Sequence, residues 1–353
     1  MNQRENYLAL FSGQRSERVP RTAGFTPDLK RRLIAHTGTE DLATFFDMDG
    51  CAGVKRTRPA DAEPADYTSY YPEIEDPSWI NGLGVAQVPG SLYHFRHYVS
   101  PLRKAETLAE IEAFPIDEED WALNGLADRV ARLKEQGRCV AGSIGHMYED
   151  AWQIRDNQRF LEDLYLNPSF VDSILDRLMR RNINRAVAYA EAGVDVLASG
   201  DDVANQNAMM FSPELWRTHL KSRWAQVYRA AREINPDIAI KYHSDGKIWP
   251  IIPELLEIGV TILNPVQPEC IDPVEVRKAF GKQLILDGTI GTQSTFPFGT
   301  PAEMRRTVRD RIARVGADGG LILGPTHVLE PDVPIANICA FFDACREYGS
   351  PPA

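Results

Sequence analysis

The sequence predicts an α/β chain folded as one (β/α)8 barrel of the TIM type. It forms a single domain over residues 1–353, with an N-terminal helical extension and an insertion over the barrel mouth. Three observations predict this. From about Arg138 onward, short apolar runs alternate with long amphipathic ones, the pattern of strand and crossover helix in a parallel sheet. The short runs are continuously apolar, as strands buried on both faces must be. An open doubly wound sheet, the alternative architecture, calls for a glycine-rich phosphate loop after its first strand, and no GxGxxG or GxxxxGKS/T occurs in the chain.

Taken in order, a helix over Glu5–Phe11, closed by Gly13, is expected to plug or flank the barrel. Strands are expected near Val19–Phe25 and Gly50–Lys55, then at Cys139–Ile144, Val194–Ser199, Ile238–His243, Val260–Leu263, Leu284–Leu286 and Leu321–Leu323, which makes eight. Pro59–Pro101, with its Pro, Gly, Asp and aromatic residues, reads as the insertion. Among the helices, Pro168–Ala192 is ended by Gly193, and Pro213–Ile234 opens on Ser212 as N-cap with proline in the first turn. A third, Pro301–Val315, is capped by Thr300 and ended by Gly316.

The 353 residues fall inside the range of roughly 250 to 400 that one such barrel fills. With 43% hydrophobic and 25% charged residues, the chain can bury a sizeable core. A formal net charge of −11, with Lys and Arg scattered, argues against nucleic acid and anionic lipid as partners. No stretch approaches a membrane span, and the polar start after Met1 lacks a signal core, so the cytoplasm is the expected location. The five cysteines form no CxxC pair, which disfavours a disulfide framework or a zinc knuckle. The Gly288–Thr292 segment matches no phosphate loop and reads as a strand-to-loop turn.

In a barrel enzyme the C-terminal strand ends carry the chemistry. Four strands here run into ionisable residues. The run from Val194 leads to Asp201 and Asp202, adjacent acids that either share a raised pKa, offset a cation, or cap the next turn. The run from Ile238 delivers His243 and Asp245, two residues apart and therefore on one side of an extended chain. The run from Leu321 ends in His327. Two histidines with Asp or Glu make a set for Zn²⁺, Fe²⁺ or Mn²⁺. The run from Cys139 leads to His146, Tyr148, Glu149 and Asp150, where acids complementing a helix dipole are the competing explanation.

The order of these motifs resembles the uroporphyrinogen decarboxylase superfamily, which also includes corrinoid-linked methyltransferases. The residues that carry the resemblance are Gly-Val-Asp-Val-Leu-Ala-Ser-Gly-Asp-Asp at 193–202, Ser-Pro-Glu-Leu-Trp at 212–216, Tyr-His-Ser-Asp-Gly at 242–246, Gly-Val-Thr-Ile-Leu-Asn-Pro at 259–265 and Gly-Pro-Thr-His-Val-Leu-Glu-Pro at 324–331. The true decarboxylases carry an Arg-Gln-Ala-Gly-Arg stretch that holds substrate carboxylates. The matching region here reads Arg21-Thr22-Ala23-Gly24-Phe25, with the second arginine lost. The methyltransferase branch binds zinc through a His-x-Cys pair and a later Cys, and those places are taken by His243, Asp245 and His327. Replacing thiolates by carboxylate and imidazole moves the site toward a harder, N/O-ligated divalent ion, with zinc first and iron or manganese as alternatives.

The leading expectation is a metal-dependent methyltransferase-type enzyme for a small methylated substrate. His243, Asp245 and His327 would bind the ion, and Glu149, Asp201 and Asp202 would act in catalysis. Arg21, His146, Tyr148 and Tyr242 are the candidate substrate contacts. One barrel uses up the length and leaves no cobalamin domain, so any corrinoid would arrive on a separate carrier protein, and homo-oligomerisation stays open. The alternatives are a decarboxylase or lyase of a small carboxylic acid, with Asp49 or Asp202 protonating a carbanion, and a non-catalytic small-molecule or corrinoid-binding subunit.

Overall fold

The computed structural model describes residues 1–12, 16–60, 62–90, 96–119 and 121–350. Strand β1 (Ala52–Val54) opens the main sheet, and an antiparallel hairpin follows, β2 (Ala86–Pro89) with β3 (Arg96–Val99). The sheet then continues through β4 (Val140–Gly145), β5 (Val196–Gly200), β6 (Ala239–His243), β7 (Ile262–Asn264), β8 (Ile285–Asp287) and β9 (Leu321–Ile322). Its order is β1-β4-β5-β6-β7-β8-β9, parallel throughout. The ring closes through the segment around Arg21. Thr22 N donates to Leu323 O at 2.9 Å, Leu323 N to Pro20 O at 2.8 Å, and Asp49 N to Arg21 O at 2.7 Å.

Seven of the eight expected strands appear within one or two residues of their sequence limits, Gly50–Lys55 among them as the shorter β1. The strand expected at Val19–Phe25 is reduced to ladder bridges at Arg21 and Phe25. Proline at position 20 brings no N–H to a ladder, which limits what this edge can pair. The helix expected as Pro213–Ile234 is interrupted by a π turn at Arg217–Lys221, between Pro213–Trp216 and Ser222–Ile234. Pro168–Glu191 and Pro301–Val315 match their expected spans closely, the latter with a capping box between Thr300 and Glu303. No helix among the described residues is long and apolar enough to cross a membrane.

The N-terminal helix runs Gln3–Leu8, fixed by a capping box of Asn2 and Glu5. Its expected terminator, Gly13, lies outside the described residues. Tyr7 and Leu10, with Phe11 packed alongside, meet Cys139, Val196, Ala239, Ile262, Ile285 and Ile322, the first inward-facing residues of successive strands. This apolar layer is the floor of the barrel, and the helix is its plug. Tyr7→Ala is expected to lower unfolding stability by about 3–5 kcal/mol, the usual cost of emptying a buried aromatic position. An unchanged urea midpoint would show that the floor does not depend on the plug.

The insertion packs beside the mouth. Tyr98 stands edge-on to Trp152 at 5.6 Å, and Leu102 N donates to Ile154 O at 3.0 Å, both on the helix Tyr148–Arg155 that follows β4.

Candidate metal centre and its cavity

Inward residues alternate along each strand. On β6, Ala239 lies in the floor, so Lys241 and His243 form the next two layers, and Ile240 and Tyr242 face the outer helices. A cavity of about 440 Å³ opens above the floor, lined by Ser143, Gly145, His146, Glu149, Ala198, Ser199, Asp202, Lys241, His243, Asn264 and His327. All four strand ends singled out by their polar residues contribute to it. A neighbouring hollow of about 290 Å³ shares His327 and is also lined by Asp245, Gln267 and Asp332.

His243 is the best-oriented group. Its Nδ1 lies 2.8 Å from Asn264 Oδ1 on the adjacent β7, so that nitrogen carries the proton and Nε2 keeps its lone pair. Nε2 stands 3.8 Å from Asp202 Oδ1. Asp202, His243 and Asp245 each offer a ligand atom within 4.8 Å of the others. Asp245 N donates to Asp202 Oδ1 at 2.8 Å, which fixes the two acids relative to one another. Burial and the charge of Asp202 push the Asp245 carboxyl up, against the pull of His243 and His327. A partly buried imidazole with a fixed tautomer, plus two carboxylates, is a donor set that fits a divalent ion. His327 lines the same cavity but is not part of this close group.

Asp201 and Asp202 part company at Gly200. A Cβ at that position would lie 2.0 Å from His243 O, so only glycine lets β5 run this close to β6. Beyond it, Asp201 turns into the protein and is fully buried. Its Oδ1 accepts from the backbone N of Met147, Tyr148 and Glu149 at 2.8, 2.7 and 3.2 Å, and its Oδ2 accepts from Trp224 Nε1 at 2.9 Å. Burial pushes its carboxyl up to about 7, against the pull of nearby His146 and of these donors. The residue caps the helix Tyr148–Arg155 from a neighbouring strand, and no part of it lines the cavity.

That cap presents His146 and Glu149 to the cavity. His146 Nδ1 is 2.8 Å from both Glu149 Oε2 and Gly200 O. Burial opposes the imidazolium, but the hydrogen bond and charge of Glu149 overcome it and lift His146 to about 10. Burial likewise raises Glu149, and the same pairing brings it below its usual range. Glu149 Oε2 also accepts from Asp202 N at 3.1 Å, linking this pair to the metal-ligand group.

The remaining sequence candidates lie elsewhere. Tyr148 is buried against Phe160 and Phe211, with its hydroxyl 3.6 Å from Met210 Sδ. Tyr242 is fully buried on the outer side of β6, edge-on to Trp224 at 6.2 Å. Neither lines the cavity, because alternation along the strand and helix packing turn them outward. Asp49 and Arg21 are also buried, in an ion cluster with Arg18 and Asp47. Arg18 Nη2 donates to Asp49 Oδ1 at 2.6 Å, and the Arg21 guanidinium pairs with Asp47. This cluster adjoins the plug helix, whose Gln3 donates to Met48 O at 2.6 Å and Asn6 to Arg18 O at 3.1 Å. It therefore stands at the end of the barrel opposite the mouth.

Two cavity residues, Asn264 and Lys241, were not among the sequence candidates. The signal for Lys241 was its place two residues before His243 on one strand, and for Asn264 its place at the end of the adjacent apolar run.

The model of the family described as Uroporphyrinogen decarboxylase (URO-D) matches residues 2–348. The chain belongs to that family. Among curated relatives, the Methylcobamide:CoM methyltransferase MtaA of Methanosarcina barkeri is 30% identical over 168 residues, 46% of each chain, so the match spans under half of that relative's length. The uroporphyrinogen decarboxylase of Pseudomonas syringae pv. tomato is 25% identical over 309 residues, 82% of this chain and 81% of its own. Among solved structures, a methyltransferase from Methanosarcina mazei superposes with a TM-score of 0.71 at 16% identity, covering 99% of each chain, which establishes the shared fold. Enzymes of two reaction types are thus among the sequence relatives of this chain.

Proposed function

We propose that this chain is a metal-dependent methyltransferase-type enzyme acting on a small O-methyl or similarly methylated substrate, with a separate corrinoid protein as methyl acceptor. The observation that carries the reading is His243, with Nε2 left free by Asn264, meeting Asp202 and Asp245 at the strand ends beside an open cavity. His243, Asp245 and Asp202 would hold the ion, with His327 as the ligand available from another wall. A divalent ion held there supplies Lewis acidity to a leaving oxygen. His146, kept charged through neutral pH by Glu149, is the group placed to deliver a proton to that oxygen as its bond to the methyl carbon breaks. The buried, helix-capping Asp201 fixes where His146 and Glu149 stand.

The test is to incubate the protein with methyl ethers and chemically reduced cobalamin and follow methylcobalamin by its absorption. Methylcobalamin formation that depends on added divalent ion is expected; no methylcobalamin from any of the ethers, with carbon dioxide released from small carboxylic acids offered in their place, would overturn the reading in favour of a decarboxylase. Decarboxylation of an octacarboxylate porphyrinogen finds no support in the site, because Arg21 is committed to Asp47 and buried away from the cavity. Asn264→Ala is expected to weaken metal binding by roughly 10- to 100-fold, since it frees the His243 ring and its tautomer. Chelator competition reads this directly, and an unchanged affinity would remove Asn264 from the centre.

A further inference from the structure

Below the metal-ligand group the barrel interior carries an ion pair that the proposed chemistry does not use. Lys241 and Asp287 each lie two residues beyond a floor residue, Ala239 and Ile285, and so form the layer between the apolar floor and His243. Lys241 Nζ donates to Asp287 Oδ2 at 2.6 Å. The Asp287 side chain is 3% exposed and that of Lys241 27%, so the acid is sealed in while the lysine faces the cavity. Among the described residues Lys241 is the one lysine or arginine lining that cavity, and Asp287 is the one hydrogen-bond partner of its ammonium. An ammonium brings three donors, so two remain for a ligand. A barrel interior gains little from such a pair, because apolar residues of similar volume stabilise as well or better.

We infer that Lys241 is the anchor for a carboxylate on the substrate, and that the molecule taken into this cavity is a small methylated carboxylic acid. The inference deepens the methyl-transfer reading by naming a substrate class, but it concerns binding and stands apart from turnover. Asp287 holds the ammonium inside the barrel. The other cavity cation, His146, is already matched by Glu149. A carboxylate accepts two of the lysine's hydrogens, whereas the matching amide offers a neutral oxygen and presents N–H groups that find no acceptor on the ammonium.

Calorimetric titration with benzoate and acetate, each against benzamide and acetamide, tests the inference. It is run on protein stripped with a chelator and again with Zn²⁺ restored, so that carboxylate binding to the ion is told apart from binding to Lys241. The expected result is a preference for carboxylate over amide of roughly tenfold or more in the stripped protein. Lys241→Met strands the buried Asp287 charge and can fail to fold, so the deciding variant is Lys241→Met combined with Asp287→Asn, which leaves the layer neutral and similar in volume. Loss of the preference in the double variant, with the fold intact by circular dichroism, supports the anchor. A preference that survives in it, or none in the stripped wild type, overturns the inference. The metal reading stands or falls separately, on metal content and metal-dependent methyl transfer.

Discussion

His243→Ala is expected to leave the protein nearly free of the divalent ion that the wild type, purified without chelator, retains at close to one per chain. The imidazole is the single nitrogen ligand in the close group, and its Nε2 is the donor whose direction the fold fixes through Asn264. Without it two carboxylates remain. They are tied to one another through the Asp245 N–H, and their mutual repulsion then favours a proton on one of them over a weakly held ion. The loss should exceed the roughly 10- to 100-fold that removal of an outer hydrogen-bond partner costs. His327→Ala should cost less, because His327 is exposed at the rim and lies outside the group that already meets. Elemental analysis of the three proteins decides the matter. His243→Ala with the wild-type metal content would sink the assignment, and a larger loss from His327→Ala would make His327 the principal ligand in place of His243.

Much of this was legible in the sequence, for physical reasons. A strand buried on both faces must be apolar from end to end, so six strands could be placed to within one or two residues. Ionisable residues at their C-terminal ends had to lie at the mouth, and His243, Asp202, Asp245, Glu149, His146 and His327 line one or both of its hollows. What strand periodicity states, it states reliably. Tyr242 lies between Lys241 and His243, so its outward direction was readable from the same alternation that placed His243. The separation of Asp201 from Asp202 was not readable, because alternation ends where the chain leaves the strand at Gly200 and the next direction depends on contact with β6. Arg21 and Asp49 lie away from the cavity for a related reason. The segment of Arg21 pairs through isolated bridges, and Asp49 lies ahead of β1, so neither sits on an apolar run that sets its level, and nothing local showed that their side chains meet Arg18 and Asp47 near the plug.

Asp201→Asn and Asp202→Asn, one residue apart, are expected to fail in opposite ways. The Asp201 carboxylate accepts from three backbone N–H groups on one oxygen and from the Trp224 indole on the other, with no exposure to solvent. An amide has one acceptor oxygen. Whichever way it turns, its NH₂ faces a donor, and at least one buried N–H loses its partner at a cost of about 1–3 kcal/mol. The neutral amide also gives up the favourable charge at the start of the helix Tyr148–Arg155. Asp201→Asn should therefore lower the unfolding midpoint and loosen the segment that carries His146 and Glu149. Asp202 is different. Its side chain is 35% exposed, and the Asp245 N–H it receives is accepted equally well by an amide oxygen. Asp202→Asn should melt close to the wild type. Its turnover should fall by more than the roughly 10- to 100-fold that losing an outer partner of a metal centre costs, because a carboxylate that would hold the ion is lost. Melting curves and rate constants measured on both variants separate the roles. A stable Asp201→Asn with impaired chemistry, beside an unstable Asp202→Asn, would mean that the inner acid does the work and the outer one holds the helix.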